Sequence, residues 1–160
     1  MLAQLKTFTM VGLDAHHVDV EVDTIFDPNT PNPNPSITTV GLPDKAVRES
    51  SQRVKRAIAN AGFRLQYDHI TINLAPVELR KHAASFDLPI ALGMLAGMGH
   101  LEQDHLNEYA VVGELSLAGE TRPVKGALGM AISTTHAASL KGLICLLYTS
   151  DAADEGLGVD

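Results

Sequence analysis

The sequence predicts an α+β fold in two layers. Three observations carry that prediction. Two N-terminal runs alternate with a period of two, a later segment repeats its apolar residues every three to four positions, and further strands and helices follow one another irregularly. At 160 residues with 45% hydrophobic residues, the chain has the length of one domain and enough apolar surface for a sizeable core.

The first run interleaves Leu5, Thr7, Thr9 and Val11 with Lys6, Phe8 and Met10. In the second, Val18, Val20 and Val22 alternate with Asp19, Glu21 and Asp23. Gly12-Leu13-Asp14 supplies turn chemistry between them, so the spacing predicts a β-hairpin with one carboxylate-rich face. Such a face is most simply solvated, because a metal site needs ligands converging from other segments. Residues 27–35, DPNTPNPNP, hold four prolines and three asparagines and predict an extended surface loop. A short strand is expected at Ser36–Val40, and Pro43 or Asp44 opens a helix.

That helix has the inner stripe Val47, Ser50, Val54, Ala57, Ile58 and Ala61, and Gly62 stops it. Its polar face carries Lys45, Arg48, Arg53, Lys55 and Arg56, with Arg64 just beyond. Positions 44–64 carry a balance of +4 in a chain whose net charge is -7. The face reads either as solvated, with Glu49–Arg53 paired one turn apart, or as a surface touching phosphate or a neighbouring subunit. No aromatic side chains interleave to stack on bases.

Tyr67–Leu74 alternates again as a strand, and residues 77–85 form a connecting turn. Leu88–Met98, LPIALGMLAGM, is apolar nearly all round and predicts a buried helix whose Gly93 and Gly97 permit close packing. Ala110–Leu117 and Thr121–Val124 are expected to form a second hairpin around Ala118-Gly119-Glu120. Lys125–Ala138 reads as a third helix with Leu128, Ala131, Ile132 and Thr135 facing inward, and Gly142–Leu147 as a last strand.

Composition excludes several function classes. A net charge of -7 is incompatible with a generally basic nucleic-acid binder, although a local basic face remains. One cysteine excludes a disulfide framework and a multi-cysteine zinc site. The N-terminus has too short an apolar run for a secretory peptide, no run reaches membrane-spanning length, and a cytoplasmic protein is expected. No G-x-x-x-x-G-K-[ST], G-x-S-x-G or H-E-x-x-H motif occurs. His16 and His17 are adjacent on a strand and point to opposite faces, so they do not suit one ion, and no metal ligand set is assigned. Ser85 or Ser116 with Lys125 is a conceivable Ser–Lys dyad, for which spacing alone shows no contact.

The segments TTVGLPDKAVRESSQRVKRAI, ITINLAPVELRK, SFDLPIALGMLA and VVGELSLAGETRPVKGAL resemble, in order, the N-terminal domain of the magnesium-chelatase-related AAA+ proteins, the competence protein ComM family. The resemblance runs from about Leu5 to Leu143. It implies a Lon-protease-domain-like fold within the superfamily of the second domain of the small-subunit ribosomal protein five, with an unusual left-handed βαβ crossover. Residues 1–144 would form this domain, with 27–35 as a Pro/Asn insertion beyond the family's usual connection.

In Lon-type proteases the nucleophilic serine lies in a P-S-A-G stretch opening the buried helix. The matching stretch here is Phe86-Asp87-Leu88-Pro89, so Asp87 stands at the serine position. The matching position for the family's lysine is Leu128, preceded by Lys125-Gly126-Ala127. A carboxylate is a poor nucleophile towards an amide and a leucine cannot be a base, so no catalytic residue and no peptidase activity are expected. Asp87 is expected instead to cap the buried helix or to pair with Arg80 or Lys81.

The resemblance also implies a larger protein. Family members carry an AAA+ ATPase module, with ATP and Mg as its cofactors, and assemble as homo-hexameric, ATP-driven DNA motors that promote branch migration in natural transformation. This sequence holds no such module, and the domain's role would be contact with its own AAA+ module, neighbouring subunits or DNA, through Arg48, Arg53, Lys55 and Arg56. No membrane partner is implied. Residues 145–160 depart from the family pattern and read as a non-native tail, so Cys145 receives no chemical role. The competing expectation is a degenerate Lon-type hydrolase using Ser85 or Ser116 with Lys125.

Overall fold

The structure is a computed structural model that describes residues 1–41, 43–79, 81 and 84–146. Its chain order is β1 (Leu2–Val11), β2 (Asp14–Ile25), β3 (Ser36–Val40), α1 (Lys45–Asn60), β4 (His69–Ala75), α2 (Asp87–Gly97), β5 (Tyr109–Val111), β6 (Glu114–Leu115), β7 (Thr121–Arg122), α3 (Ala127–His136) and β8 (Gly142–Ile144). Single 3₁₀ turns at Ala84–Phe86 and Leu106–Glu108 precede α2 and β5. This is the expected α+β class.

Six strands form one mixed sheet in the order β3-β4-β2-β1-β5-β8. The expected first hairpin is antiparallel, with Leu5 opposite Val20 and Thr7 opposite Val18. Gly12, at φ 63, makes its turn. β2 pairs antiparallel with β4, whereas β3 runs parallel to β4 across the α1 connection. β1–β5 and β5–β8 are also parallel.

The period-two pattern puts Ala3, Leu5, Val18, Val20, Val22, Ile70, Ile72 and Leu74 on one sheet face, where α1 and α2 cover them. Asp44 is the N-cap of α1, accepting from the Val47 amide at 2.9 Å. Val47, Val54, Ala57 and Ile58 are buried as expected, while Ala61, past the helix end, is exposed. In α2, Cβ atoms on Gly93 and Gly97 would lie 2.5 Å from Val22 Cγ2 and 2.3 Å from Thr24 Oγ1, so the two glycines let the helix lie directly on β2. Each fully buried aliphatic side chain here contributes about 1.5–3 kcal/mol relative to exposure.

Three expectations are corrected. The architecture is not strictly two-layered. α3 lies on the opposite sheet face, where Met130 packs against Phe8, Ala110 and Val112. α3 is also rotated from its expected phase: Met130 and Thr134 are buried, whereas Leu128 is 75% and Ile132 52% exposed. Small and apolar residues surround this helix on all sides, so periodicity does not select a face, and the pocket offered by Phe8 does. The second hairpin is divided. β5 joins the main sheet, and only Glu114–Leu115 pairs with Thr121–Arg122 in a separate ribbon. Gly113 makes the departure: it donates to the Ser85 carbonyl at 3.0 Å, and its own carbonyl accepts from Leu88 N at 2.9 Å.

The rest of the second sheet face is polar and open. Glu21 accepts from Asn73 Nδ2 at 2.7 Å and Gln4 Nε2 at 3.4 Å, and the expected row of Asp19, Glu21 and Asp23 is solvated. Among the described residues no group of three or more His, Cys, Asp or Glu is arranged to hold a metal. The Pro/Asn loop is anchored by Asp68, whose carboxylate accepts from Asp27 N and Asn32 N, both at 2.6 Å. Cys145 packs on the edge of the Phe8 cluster as a free thiol, and the tail from 147 onward lies outside the described residues. No helix among the described residues is long and apolar enough to cross a membrane.

Candidate functional site

Three features carry chemistry: a buried carboxylate, the basic face of α1 and a cleft at the head of α3. Asp87 is the first residue of α2 and is fully buried. Its carboxylate accepts Ser50 Oγ at 2.5 Å, Arg53 Nε at 2.7 Å, Arg53 Nη2 at 3.0 Å and Leu115 N at 3.0 Å. The guanidinium fork therefore binds both oxygens, the geometry in which arginine and carboxylate match best. Arg53 is 26% exposed, and its hydrogen bonds to Asp87 hold the guanidinium pKa above its ordinary value.

This arrangement corrects the expected partners of Asp87. Lys81 turns elsewhere and is not the partner, and the expectation for Arg80 lies outside the described residues. α1 packs across α2 and delivers Arg53 from 34 positions away. Nor does Asp87 cap its own helix, which has no side-chain cap. With four donors on two oxygens, the carboxylate joins α1, α2 and β6. The missed signal lay in Ser50, a hydroxyl on an otherwise apolar stripe.

Lys81 is itself buried, and burial pushes its amine below the ordinary lysine value. Its Nζ donates to the Gly41 carbonyl at 2.7 Å and to the Pro76 carbonyl, so it ties the β3–α1 connection to the segment after β4.

The four arginines and lysines assigned to partner contact divide. Arg53 is turned inward onto Asp87. Arg48 and Arg56 are exposed, and Lys55 is half-buried with its ammonium 5.9 Å from the Tyr67 ring centroid. The expected Glu49–Arg53 pair is replaced by Lys45–Glu49 at 3.7 Å.

The cleft has a volume of about 610 Å³ and opens between the β1–β2 turn, the 3₁₀ turn before α2, β6 and the start of α3. Ser85 and Lys125 both line it, whereas Ser116, Asp87 and Leu128 do not. Ser85 Oγ is buried and has no hydrogen-bond partner among the described residues, so it makes no bond to Lys125 Nζ. Ser116 Oγ accepts from Glu120 N at 3.1 Å and belongs to the β6–β7 turn. The structure thus brings one serine and the lysine to a common cavity without forming the dyad.

Residues 20–146 match the family model described as subunit ChlI of Mg-chelatase. The chain is 38% identical over 156 residues to the uncharacterized protein YifB of Salmonella typhimurium, covering 98% of this chain and 29% of that protein. It is 40% identical over 127 residues to competence protein ComM of Haemophilus influenzae, covering 79% of this chain and 24% of that protein. YifB of Escherichia coli is 40% identical over 130 residues, covering 81% and 24%. The chain therefore spans less than a third of the length of these relatives.

Proposed function

The chain belongs to the family of the Mg-chelatase ChlI subunit, with ComM and YifB as relatives, and on that premise we propose that it is the non-catalytic, Lon-protease-like N-terminal domain of a ComM-type AAA+ ATPase. Asp87 is the observation that carries this reading. The position matching a Lon nucleophile holds a carboxylate whose oxygens are occupied by Ser50, Arg53 and Leu115. The position matching the family lysine holds Leu128, 75% exposed and outside the cleft. ATP and Mg would bind in the AAA+ module of the longer protein, and this domain would serve its contacts with neighbouring subunits of a hexamer or with DNA.

Arg48, Lys55 and Arg56 are the groups left for such contact, because Arg53 is committed to the fold. Exposed cations that neutralise phosphates contribute affinity that falls steeply with salt. In the full-length protein, Arg48→Glu with Arg56→Glu should weaken DNA binding and flatten its salt dependence, or impair assembly in sedimentation, while leaving the thermal transition unchanged. Intact DNA binding together with intact assembly would remove the basic face from this role.

A Ser85–Lys125 hydrolase is the competing reading, favoured by their shared cleft. Hydrolysis of a casein-derived peptide by this chain, abolished by Ser85→Ala, would replace the non-catalytic reading.

A further inference from the structure

We infer that the cleft at the head of α3 binds the carboxyl-terminal end of an apolar peptide. Its volume of about 610 Å³ lies within the range of ligand sites, about 300–1,000 Å³. Met10, Leu13, Pro123, Val124 and Met130 give it an apolar lining, and the two methionines supply an adaptable surface for aliphatic side chains. Leu13 at the tip of the β1–β2 turn is 94% exposed, an apolar rim with nothing of its own to cover.

The polar groups sort by charge. α3 starts at the cleft with Gly126 as its N-cap, at φ 83 and with no side-chain cap. A glycine offers no capping oxygen, so the first-turn N–H groups have no side-chain acceptor. Glycine is required there: its φ is left-handed, and a Cβ would come 2.9 Å from Met10 Cγ. The neighbouring Lys125 adds a full positive charge to the positive end of the helix, and the corner suits a carboxylate.

Independently, Ser85 lines the same cleft, is only 5% exposed, and its Oγ has no hydrogen-bond partner among the described residues. Buried hydroxyls are almost always paired, so this one is a group a ligand would satisfy. Glu114 completes the lining with an acceptor. It repels a simple anion but matches the N–H groups of a peptide chain. A carboxylate, backbone amides and aliphatic side chains on one molecule describe a peptide terminus and not a fatty acid, which has no donor for Glu114.

The inference does not depend on the family reading. The test is an amide NMR titration of this chain with three probes: the acetylated tetrapeptide Ala-Val-Leu-Leu as its free acid, the same peptide as its C-terminal amide, and octanoate. The free acid should shift the amides of Thr9, Ser85 and Gly126, and the amidated peptide should bind about tenfold more weakly, as expected for loss of one charge-assisted contact. Lys125→Glu should cause a similar loss, and because Lys125 is exposed this variant keeps its fold. Ser85→Val should weaken binding several-fold. Equal binding of acid and amide, shifts confined to other surfaces, no binding at millimolar peptide, or octanoate binding as tightly as the peptide would each overturn the inference.

Discussion

The two faces of the sheet are built by opposite means. On one, α1 and α2 lie against β1, β2 and β4, and a saturated carboxylate joins both helices to β6. On the other, α3 rests on a cluster in which, among the described residues, only Phe8, Ala110, Val112 and Met130 are buried. The first face leaves no polar atom of Asp87 unspent. The second leaves an uncapped helix start beside a cleft, and large apolar side chains pointing outward. The contrast teaches that packing is divided unequally across this sheet: the face with the deep core carries most of the buried apolar surface, and the thinly covered one leaves a helix start and apolar side chains open.

The sharpest way to break this contrast is Asp87→Ala. It strands Arg53 and the Leu115 amide beside an emptied site, and should cost about 3–5 kcal/mol in urea unfolding, the scale for removing one partner of a buried ion pair. Asp87→Leu combined with Arg53→Met should recover much of that loss, since an apolar pair of similar volume replaces the charges. Recovery would show that the lock serves orientation more than net stability. If Asp87→Ala costs under about 1 kcal/mol, the scale of an ordinary exposed ion pair, the deep face is not held by this centre.

Two substitutions on α3 sharpen the other side. Met130→Ala should cost about 2 kcal/mol, the lower end for a buried Met, because the neighbouring cleft allows collapse. Leu128→Asp, two residues earlier and on the exposed side, should stay within about 0.5 kcal/mol by thermal melting. A large loss at Leu128 in this chain would mean that the expected inward phase of α3 is the true one.

The smallest effect concerns His17, in the shallow groove between β1, β2 and the end of α3. Burial lowers its pKa, against the opposing pull of Asp19, whose carboxylate is 3.8 Å away. The unfolded imidazole, near 6.5, therefore takes its proton before the folded one. Stability from this residue is present above that value and declines as pH falls through it. Asp19→Asn should lower the folded pKa further, as read from the His17 ring resonances in an NMR titration, and a rise would contradict the assignment.

Much of the fold was legible in residues 1–98. Alternating valines, the Asp44 cap and Gly62 each have a local cause that operates whatever the chain packs against, and the small residues Gly93 and Gly97 mark a close approach without naming its partner. Past Tyr109 legibility falls. The continuous β pattern of Ala110–Leu117 hides the bend at Gly113, which exists to bond Ser85 and Leu88 across the chain. The candidate sites were legible by residue type only. Arg53 looked like the rest of the basic face because a helical wheel does not show the buried carboxylate 34 positions ahead.

By itself the sequence determined the α+β class, the first hairpin, the two helices of the deep face and the family, because these rest on periodicity, capping and contiguous motifs. Only tertiary structure decided which way α3 turns, which cation meets Asp87, and that Ser85 shares a cavity with Lys125. The physical reason is range. Backbone and capping preferences act over a few residues, whereas the pairing of charges and the choice between two apolar helix faces depend on what distant segments bring within a few ångströms.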